Sequence, residues 1–319
     1  MKNKVKVFWE YWNRFGIVAI LLVVILVMWI LEPRTVAFAN LVTVTSRSAT
    51  IAIAAAGMTF AICAGGFDLS VGSIFSLVSC VVALNIVNIG MWPSILLALV
   101  VSLACGLING LIVTKLKIQT FVATLATQLA FKGVALVYSQ GKRVLMNNNR
   151  DIKRLSTGTI LNIPMTIVLT VVVFAIAYLV YKRTRFGVRV RAIGSNEPAA
   201  RSSGINVDRT LIMVFMLTGL MAGIAGILQS SRLATGSAII GDGFETDVIT
   251  AAVLGGTSLA GGKGNVVGSL FGAILLTFIR SSMNIMGLGE ATQKLAVAVV
   301  LVLALSISGI KLITQEGKK

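Results

Sequence analysis

The sequence has no histidine, and acidic residues and cysteines are also scarce. Eleven Asp and Glu stand against 28 Lys and Arg in 319 residues, which gives a formal net charge of +17. The lack of imidazole excludes any catalytic or metal site that depends on histidine. Charged residues make up 12% of the chain, roughly half the share in a soluble domain. Disorder, a disulfide-framed secreted scaffold and an ordinary cytosolic enzyme are therefore excluded.

The three cysteines do not form a redox or zinc motif. Cys63, Cys80 and Cys105 each lie inside an apolar stretch, and they are separated by 17 and 25 residues. Zinc sites and thiol redox motifs need closely spaced thiols. We therefore interpret all three as small packing residues, and no metal site is expected.

Long apolar stretches are what the sequence does contain. Hydrophobic residues make up 56% of the chain, and the cations lie in short clusters between uncharged runs. This distribution is typical of a polytopic membrane protein and argues against nucleic-acid binding. A bilayer core about 30 Å thick needs roughly 20 apolar helical residues. Ten spans are predicted: residues 15–31, 48–67, two within 69–114 divided at 85–93, 118–138, 155–181, 210–231, 248–262, 264–279 and 295–310.

The distribution of lysine and arginine assigns the loops of this predicted all-α membrane protein to the two sides of the membrane. Ten spans put both termini on one side, and their lysines indicate the cytoplasm. The predicted organisation is a cytoplasmic segment 1–14, one transmembrane domain 15–310 with a cytoplasmic loop 182–209, and a cytoplasmic tail 311–319. The basic stretch 142–154 then falls outside, against the rule. Ala37-Phe38-Ala39 imitates a signal-peptide cleavage site, but the preceding run of 17 apolar residues followed by Glu32, Pro33 and Arg34 favours a retained helix.

The first informative cluster combines paired glycines with a carboxylate. It reads Gly65-Gly66-Phe67-Asp68-Leu69-Ser70-Val71-Gly72-Ser73. Glycines loosen a helix, and Asp68 with Ser70 can bond freed backbone groups or cap the next helix. Two interpretations stay open: a structural turn at the membrane edge, or a broken helix that lines a polar pathway. The candidate pathway residues are Gly65, Gly66, Asp68, Ser70 and Gly72.

A second glycine-rich cluster runs from Gly255 to Gly264. A phosphate-binding loop is excluded, because Thr257 stands where glycine is needed and Gly264 follows Lys263 where Ser or Thr is needed. The spacing also excludes a dinucleotide fingerprint. The pattern predicts a tight turn between two short, closely packed helices, and the two clusters weakly suggest an internal repeat. The candidate gating or helix-packing residues are Gly255, Gly256, Thr257, Ser258, Gly261 and Gly262.

The third cluster lies in the loop 182–209, which carries seven basic and two acidic residues. Ser195 or Asn196 can cap a helix, Glu197 and Pro198 suit its first turn, and Gly204 suits its end. These signals predict a short helix parallel to the membrane. Either the loop is an ordinary basic, lipid-facing segment, or it docks a cytoplasmic partner. The candidate docking residues are Gly194, Ser195, Asn196, Glu197, Pro198, Ala199, Ala200, Arg201 and Gly204.

At these clusters the sequence resembles the membrane permeases of simple-sugar ABC importers, the ribose, arabinose and galactose group. The likeness covers about residues 15–310 and is most specific at 65–73, 192–201 and 253–264. Phe67 stands where the family commonly has Ile, and Ser195 and Pro198 stand where Gly and Ala are common. Proline still fits the first turn of a helix, so the docking helix is retained.

The resemblance implies a type II (vitamin B12-type) importer fold of about ten helices in a bacterial inner membrane. It implies a second permease, identical or related, an ATP-binding subunit on the cytoplasmic face, and a periplasmic or lipid-anchored sugar-binding protein. Residues 194–204 match the family's coupling helix. The chain would bind no cofactor itself, because the partner would use ATP and Mg²⁺.

The predicted function is therefore uptake of a pentose or hexose by alternating access, without catalysis by this chain. Few ionisable groups are expected at membrane depth, since neutral sugars need weak contacts. The alternative is an ion-coupled sugar transporter that uses Asp68 or the group Asp242, Glu245 and Asp247. Those acids are predicted near span ends, and this position weakens the ion-coupled alternative. A membrane enzyme such as an intramembrane protease is not supported, because this sequence has no histidine and no paired carboxylates in two apolar spans.

Overall fold

The chain folds as a helical bundle. The computed structural model describes the backbone of residues 2–146, 150–161, 163–300, 302 and 306, and the side chains of these residues apart from 2–15 and 150. Its α-helices are α1 Lys2–Leu31, α2 Phe38–Cys63, α3 Val71–Ile89, α4 Met91–Lys115, α5 Thr120–Tyr138, α6 Arg150–Thr157, α7 Met165–Arg183, α8 Arg185–Ser195, α9 Glu197–Ser202, α10 Val207–Leu233, α11 Phe244–Leu254 and α12 Val266–Ile285. Residues 290–300 are also helical.

The remaining regular structure is short. A 3-10 turn covers Pro33–Val36. Strand β1 Val144–Leu145 pairs antiparallel with β4 Thr235–Gly236, and β2 Thr159–Ile160 pairs antiparallel with β3 Ile163–Pro164. The first pairing joins two segments that are 90 residues apart in the sequence, so it ties the α5–α7 connection to the end of α10.

Seven helices in the described part of the chain are long and apolar enough to cross a membrane: α2, α3, α4, α5, α7, α10 and α12. The shortest of them has 19 residues, which at 1.5 Å per residue approaches the ~30 Å of a bilayer core. The apolar part of α1, Gly16–Leu31, is shorter. The prediction of an all-α polytopic membrane protein is confirmed at this level.

Helix α10 lies at the centre and packs against α2, α3 and α4. Glycines allow this close packing: a Cβ on Gly106 or Gly110 would overlap the backbone of α10 at residues 212–216. In lipid, small residues of this kind let helices associate through van der Waals contact. The outer faces of α4, α5 and α7 instead expose large apolar side chains, as expected for helices that face lipid.

The bundle has two distinct ends. One, the glycine-loop end, is formed by residues 63–66, 116–119, 184–206 and 255–264, and the Gly262 amide there donates to the Cys63 carbonyl at 2.8 Å. The opposite end is formed by residues 32–37, 139–146, 150–161, 163–164, 234–236 and 286–289. There the Ser281 hydroxyl donates to the Asn40 side chain at 2.8 Å, and the Ser231 hydroxyl donates to the Ile152 carbonyl.

Two predicted span boundaries move in the structure. The predicted span 48–67 is helix α2, which begins ten residues earlier, at Phe38. The charge of Arg47 predicts a boundary there, but the helix continues through it, and the hydroxyls of Thr43 and Thr45 donate to carbonyls one turn back. The predicted span 155–181 is also too long at its start, because α7 begins at Met165 after the separate helix α6.

The prediction that residues 248–262 form a span is wrong. Helix α11 has 11 residues and is about 16 Å long, which is half of a bilayer core. Residues 234–243 precede it as a non-helical segment along α3, where the Ser237 and Gly241 amides donate to the hydroxyls of Ser79 and Ser76. The α3 side chains satisfy backbone groups that helical bonds would otherwise satisfy. This is the condition under which irregular backbone persists inside a membrane protein.

The last predicted span, 295–310, lies only partly within the described residues. Its first six residues belong to the helical stretch 290–300. Residues 301, 303–305 and 307–310, together with the predicted tail 311–319, lie outside the described part of the chain.

Candidate functional site

The three sequence clusters come together at the glycine-loop end. The last turn of α2 lies against the end of α8, and the turn 255–264 lies against both. A Cβ added to Gly194 would overlap the Cys63 carbonyl oxygen and would lie 2.6 Å from the Gly262 nitrogen. A Cβ on Gly261 would meet the Gly194 carbonyl at 2.6 Å. Three segments that are far apart in the sequence therefore pack backbone to backbone at one point.

Backbone conformation explains the glycines of the turn. Gly256, Gly261 and Gly262 have φ of 91°, 81° and 72°, a left-handed region that L side chains rarely adopt. The turn connects α11 to α12, as predicted for a tight turn between packed helices. Thr257 accepts from the Asn265 amide at 3.3 Å, and the Asn265 side chain caps α12 through the Gly268 amide at 3.0 Å.

Tyr181 holds the same junction together from α7. Its hydroxyl accepts from the Gly264 amide at 2.8 Å and lies 3.3 Å from the Cys63 sulfur. Its ring lies edge-on to Phe60, with centroids 5.4 Å apart, and the guanidinium of Arg191 lies over it at 4.9 Å. The sequence reading missed Tyr181; a polar aromatic at the end of an apolar run is the signal that could have identified it.

The predicted short helix is present as α9. The Asn196 side chain caps it by accepting from the Ala199 amide at 2.9 Å, and Pro198 stands in its first turn. Ser195 instead ends α8. Gly204 follows α9 with φ of 79°, which suits glycine after a helix end.

Charge is concentrated on the exposed face of α9. Arg201 donates to Glu197 one turn earlier at 3.0 Å and to Asp208 in the first turn of α10 at 3.3 Å. The Glu197 carboxylate raises the pKa of the Arg201 guanidinium, and Asp208 acts in the same direction. These side chains are about half exposed. An ordered, exposed ion cluster therefore marks the surface of the α8–α10 connection.

A cleft of about 840 Å³ opens beside this cluster. Gly65, Gly66 and Thr120 line one side, and Glu197, Arg201 and Asp208 line another. Candidate pathway glycines and candidate docking residues thus share one cavity at the glycine-loop end.

Asp68 and Ser70 lie deeper in the bundle and are completely buried. Asp68 Oδ1 accepts from the Ser70 amide at 3.0 Å and from the Ser70 hydroxyl at 2.6 Å. The Asn109 side chain of α4 donates to the Ser70 hydroxyl at 2.7 Å. The Ser70 side chain does not cap α3. This network fixes the α2–α3 connection to α4 and favours the structural-turn interpretation of Asp68.

Gly72 lies apart from the cleft, where α3 crosses the segment 234–243. A Cβ on Gly72 would lie 2.6 Å from the Gly241 carbonyl oxygen and would overlap the Glu245 carboxylate. The small or polar residues Gly72, Ser76 and Ser79 recur at helical spacing and form the α3 face that this segment contacts. That stripe was the available sequence signal for the crossing.

Several ionisable groups lie within the helical bundle, and Glu245 and Asp247 stand in the first turn of α11. Lys132 of α5 bonds to Asp242 at 2.7 Å, and Arg280 of α12 forms a two-bond ion pair with Asp247 of α11. The Glu245 side chain has a buried oxygen without a hydrogen-bond partner. Hydropathy located the acids between spans, whereas the tertiary structure draws their segment back along α3.

A second cavity, of about 390 Å³, lies toward the opposite end between α2, α3, α10, α11 and α12. Phe75 and Phe244 stack at its inner side with ring centroids 4.2 Å apart. Its described lining also contains Arg47, Arg232 and Arg280, and it shares no lining residue with the cleft. The sequence reading did not single out any of these five residues. Two separate cavities at the two ends suit binding and passage of a solute.

Comparisons with known proteins identify the family of the chain. The profile of the family described as "Branched-chain amino acid transport system / permease component" matches residues 40–305. The chain is 38% identical over 295 residues to the ribose import permease protein RbsC of Escherichia coli (strain K12), covering 91% of this chain and 92% of that protein.

Two further relatives match over similar lengths. The chain is 37% identical over 287 residues to the ribose import permease protein RbsC of Bacillus subtilis (strain 168), with 89% of each chain covered. It is 33% identical over 314 residues to the L-arabinose transport system permease protein AraH of Escherichia coli (strain K12), covering 98% of this chain and 94% of that protein. No solved structure matches the chain.

Proposed function

This chain belongs to the branched-chain amino acid transport system / permease component family, and on that premise we propose that it is the membrane-spanning permease of an ATP-driven importer for a simple sugar. The relatives that match nearly the whole chain are named for import of ribose and transport of L-arabinose. The single observation that carries the proposal is this full-length likeness to sugar permeases. The chain is a permease subunit rather than an enzyme, and a separate subunit hydrolyses ATP.

Helix α9 is the proposed site of contact with the ATPase. Its capped, charged surface is exposed at the end of the bundle, and the backbone packing around Gly194 connects it to α2 and to the α11–α12 turn. A displacement of α9 would therefore be transmitted to α2, α11 and α12 together. Rigid transmission of this kind is how a small movement at an interface repacks a bundle.

The glycine-loop end is the proposed cytoplasmic end. The segment 182–209 carries seven basic and two acidic residues, the bias expected of cytoplasmic loops. We propose that the chain crosses the membrane ten times, with both termini cytoplasmic, and that the eighth crossing consists of residues 234–243 followed by α11. We assign this arrangement to the type II importer fold in a bacterial inner membrane.

The proposed route for the sugar begins at the cavity near the opposite end, where an external binding protein would deliver it. The stacked Phe75 and Phe244 close the inner side of this cavity, and the cleft beside α9 opens toward the cytoplasm. Alternating access would open these two cavities in turn. Gly72 and the turn 255–264 flank the moving α11, which supports a packing role for them during the switch.

A second permease is proposed to cover the α5 face. Lys132 and Asp242 are both partly exposed, although they lie between the two ends of the bundle. A charged pair at membrane depth is costly against lipid and is expected to face protein or a water-filled pathway. A second copy, or a related chain, packed on α5 would supply that environment.

The test removes the charges of α9 in the complete importer. In Glu197→Gln/Arg201→Gln we expect ATP-dependent sugar uptake to fall about tenfold or more, as for loss of central charged contacts at an interface. The complex should still be recovered from the membrane. The control is Glu290→Gln/Lys294→Gln, which removes an exposed ion pair of the same i,i+4 spacing from the opposite end. Uptake at the wild-type rate by the α9 variant would contradict the docking assignment.

The ion-coupled alternative rests on acids inside the bundle, but the structure pairs two of them with cations. Asp242 is paired with Lys132, and Asp247 with Arg280. A cation site needs carboxylates that are free to bind the ion.

Asp68 and Glu245 each keep one buried oxygen without a hydrogen-bond partner among the described residues, so the energy source is the decisive test. Because the proposed importer is driven by ATP, proteoliposomes that contain this chain alone should fail to accumulate sugar under a sodium or proton gradient. Accumulation would support the alternative.

A further inference from the structure

The cavity near the opposite end is rich in guanidinium groups, and we call it the arginine cavity, defined by Arg47, Arg232 and Arg280. These arginines come from α2, α10 and α12 and converge on one space of about 390 Å³. None of the described residues that line it is acidic. Its volume lies within the ~300–1,000 Å³ typical of small-molecule sites.

Among the described residues, a carboxylate matches the charge of only one of the three arginines. Arg280 pairs with Asp247 through two bonds. Arg232 donates from Nη2 to the neutral Gln229 side chain at 2.7 Å, and its Nη1 is buried without a hydrogen-bond partner. Arg47 stands at the exposed side of the cavity and takes part in none of the ion pairs among the described residues.

The buried Nη1 of Arg232, which has no hydrogen-bond partner among the described residues, is costly, and the exposed Arg47 brings a second unmatched guanidinium to the same cavity. Burying a cation without a partner costs far more than burying a paired one, and charged groups at membrane depth typically serve a ligand pathway. A neutral sugar does not need them, because amide and hydroxyl side chains suffice for its hydroxyl groups. A planar guanidinium fork instead matches the two oxygens of a carboxylate or a phosphate.

We propose that the arginine cavity selects a sugar that carries an oxyanion, either a carboxylate or a phosphate. The free Nη1 of Arg232 and the guanidinium of Arg47 bind the anionic group as the substrate enters. The proposal rests on the proposed function and narrows its substrate class from simple sugars in general to acidic ones.

The rest of the cavity fits the sugar portion of such a substrate. Six neutral polar side chains can bond hydroxyl groups: Thr50, Gln229, Thr277, Ser281, Asn284 and Gln293. The stacked rings of Phe75 and Phe244 border the cavity and give it an apolar side against which the C–H groups of a sugar ring can lie. The cavity thus has a cationic side, a hydroxyl-bonding wall and an aromatic floor.

The experiment measures ATP-dependent uptake by the complete importer in proteoliposomes. The probes are aldonates and uronates of five or six carbons, the corresponding sugar monophosphates, and the neutral parent sugars, all at equal ionic strength. We expect saturable uptake of an acidic sugar to exceed uptake of its neutral parent at least tenfold. Uptake of the aldonates and uronates, compared with uptake of the sugar monophosphates, shows whether the cavity selects a carboxylate or a phosphate.

Two cavity variants and one control connect the selectivity to these arginines. Arg47→Gln/Arg232→Gln should lower the affinity for the acidic sugar about tenfold or more, as expected when hydrogen bonds to a charged group are lost. Arg47→Lys keeps the charge and should keep the preference for the acid. Arg154→Gln removes a cation at the same end but outside the cavity, and should change neither uptake nor preference.

Each alternative outcome decides a different point. ATP-dependent uptake of neutral sugars alone would leave the proposed function standing and overturn this inference. An equal loss of acidic and neutral uptake in Arg47→Gln/Arg232→Gln would also overturn it, because the arginines would then have only a structural role. No ATP-dependent uptake of any probe would overturn the proposed function together with the inference. If the double variant cannot be purified, Arg47→Gln alone is measured, and it should lower the preference for the acidic sugar over its neutral parent.

Discussion

At the scale of single residues, Gly194 carries the strongest packing constraint in the candidate site. Its Cα faces the backbones of α2 and of the turn 255–264, with no room for a methyl group. We expect Gly194→Ala to lower the free energy of unfolding by about 1–3 kcal/mol, because overpacking forces these backbones apart. The measurement is the thermal unfolding midpoint of the purified full chain.

Gly133 provides the matched control for this prediction. It lies within α5, and a Cβ at that position would meet nothing within 4 Å. Gly133→Ala should therefore leave the stability unchanged or raise it by about 0.5–1 kcal/mol, as expected for alanine in a helix. If both variants unfolded at the same temperature, the junction around Gly194 would not be as tight as described.

Residue chemistry made some assignments predictable and left others out of reach. The local chemistry of Asn196 predicts a helix cap and that of Gly204 predicts a helix end, and the structure confirms both for α9. Tyr181 joins residues 83 and 118 positions away, and Arg232 borders a cavity whose other walls come from distant helices. Local sequence does not encode those distances, so neither residue was singled out.

At the scale of elements, the stretch 234–254 was the main failure of the sequence prediction. Apolar composition predicts a span at 248–262. In the structure, α11 ends at Leu254 and the non-helical segment 234–243 precedes it. The Ser76 and Ser79 hydroxyls replace helical hydrogen bonds for that segment. A hydropathy pattern does not report which neighbour satisfies a backbone group.

Ion pairing between α11 and α12 can be tested with a double-mutant cycle. Arg280→Gln should destabilise the chain by about 2–4 kcal/mol, because it leaves the Asp247 carboxylate largely buried and unpaired. Asp247→Asn should cost less, since Arg280 also borders a cavity. The double variant Asp247→Asn/Arg280→Gln should be more stable than Arg280→Gln. The measurement is the free energy of unfolding of all four proteins.

Additive losses in this cycle would contradict the pairing. The expected coupling energy between the two positions is about 1–3 kcal/mol, the range found for residues that share a hydrogen-bonded network. A control pair on the same helices is Thr246→Ala with Ser281→Ala, which share no bond with each other. Their effects should add.

At the scale of the whole molecule, we expect the two ends of the bundle to lie on opposite sides of the membrane. Cys63, Cys80 and Cys105 are buried, so introduced cysteines can be labelled over a low background. A membrane-impermeant maleimide on intact spheroplasts should label Lys142→Cys. It should label Ser203→Cys only after permeabilisation, because α9 is the proposed cytoplasmic contact.

The two labelled positions control for each other, because both are exposed in the structure. Labelling of Ser203→Cys from outside would place α9 beyond the reach of an ATPase and would overturn the docking assignment. Equal labelling of both positions on intact cells would contradict the assignment of the ends to opposite sides.

The sequence by itself determined the membrane class, most of the long helices, the short capped helix and the likeness to sugar permeases. Those properties depend on local composition, on helical spacing and on caps within a few residues. Only the tertiary structure decided that residues 234–243 run along α3, that the end of α2, the end of α8 and the turn 255–264 meet at Gly194, and that Arg47, Arg232 and Arg280 face one cavity. These depend on which surfaces pack together, and packing joins residues that no local pattern connects.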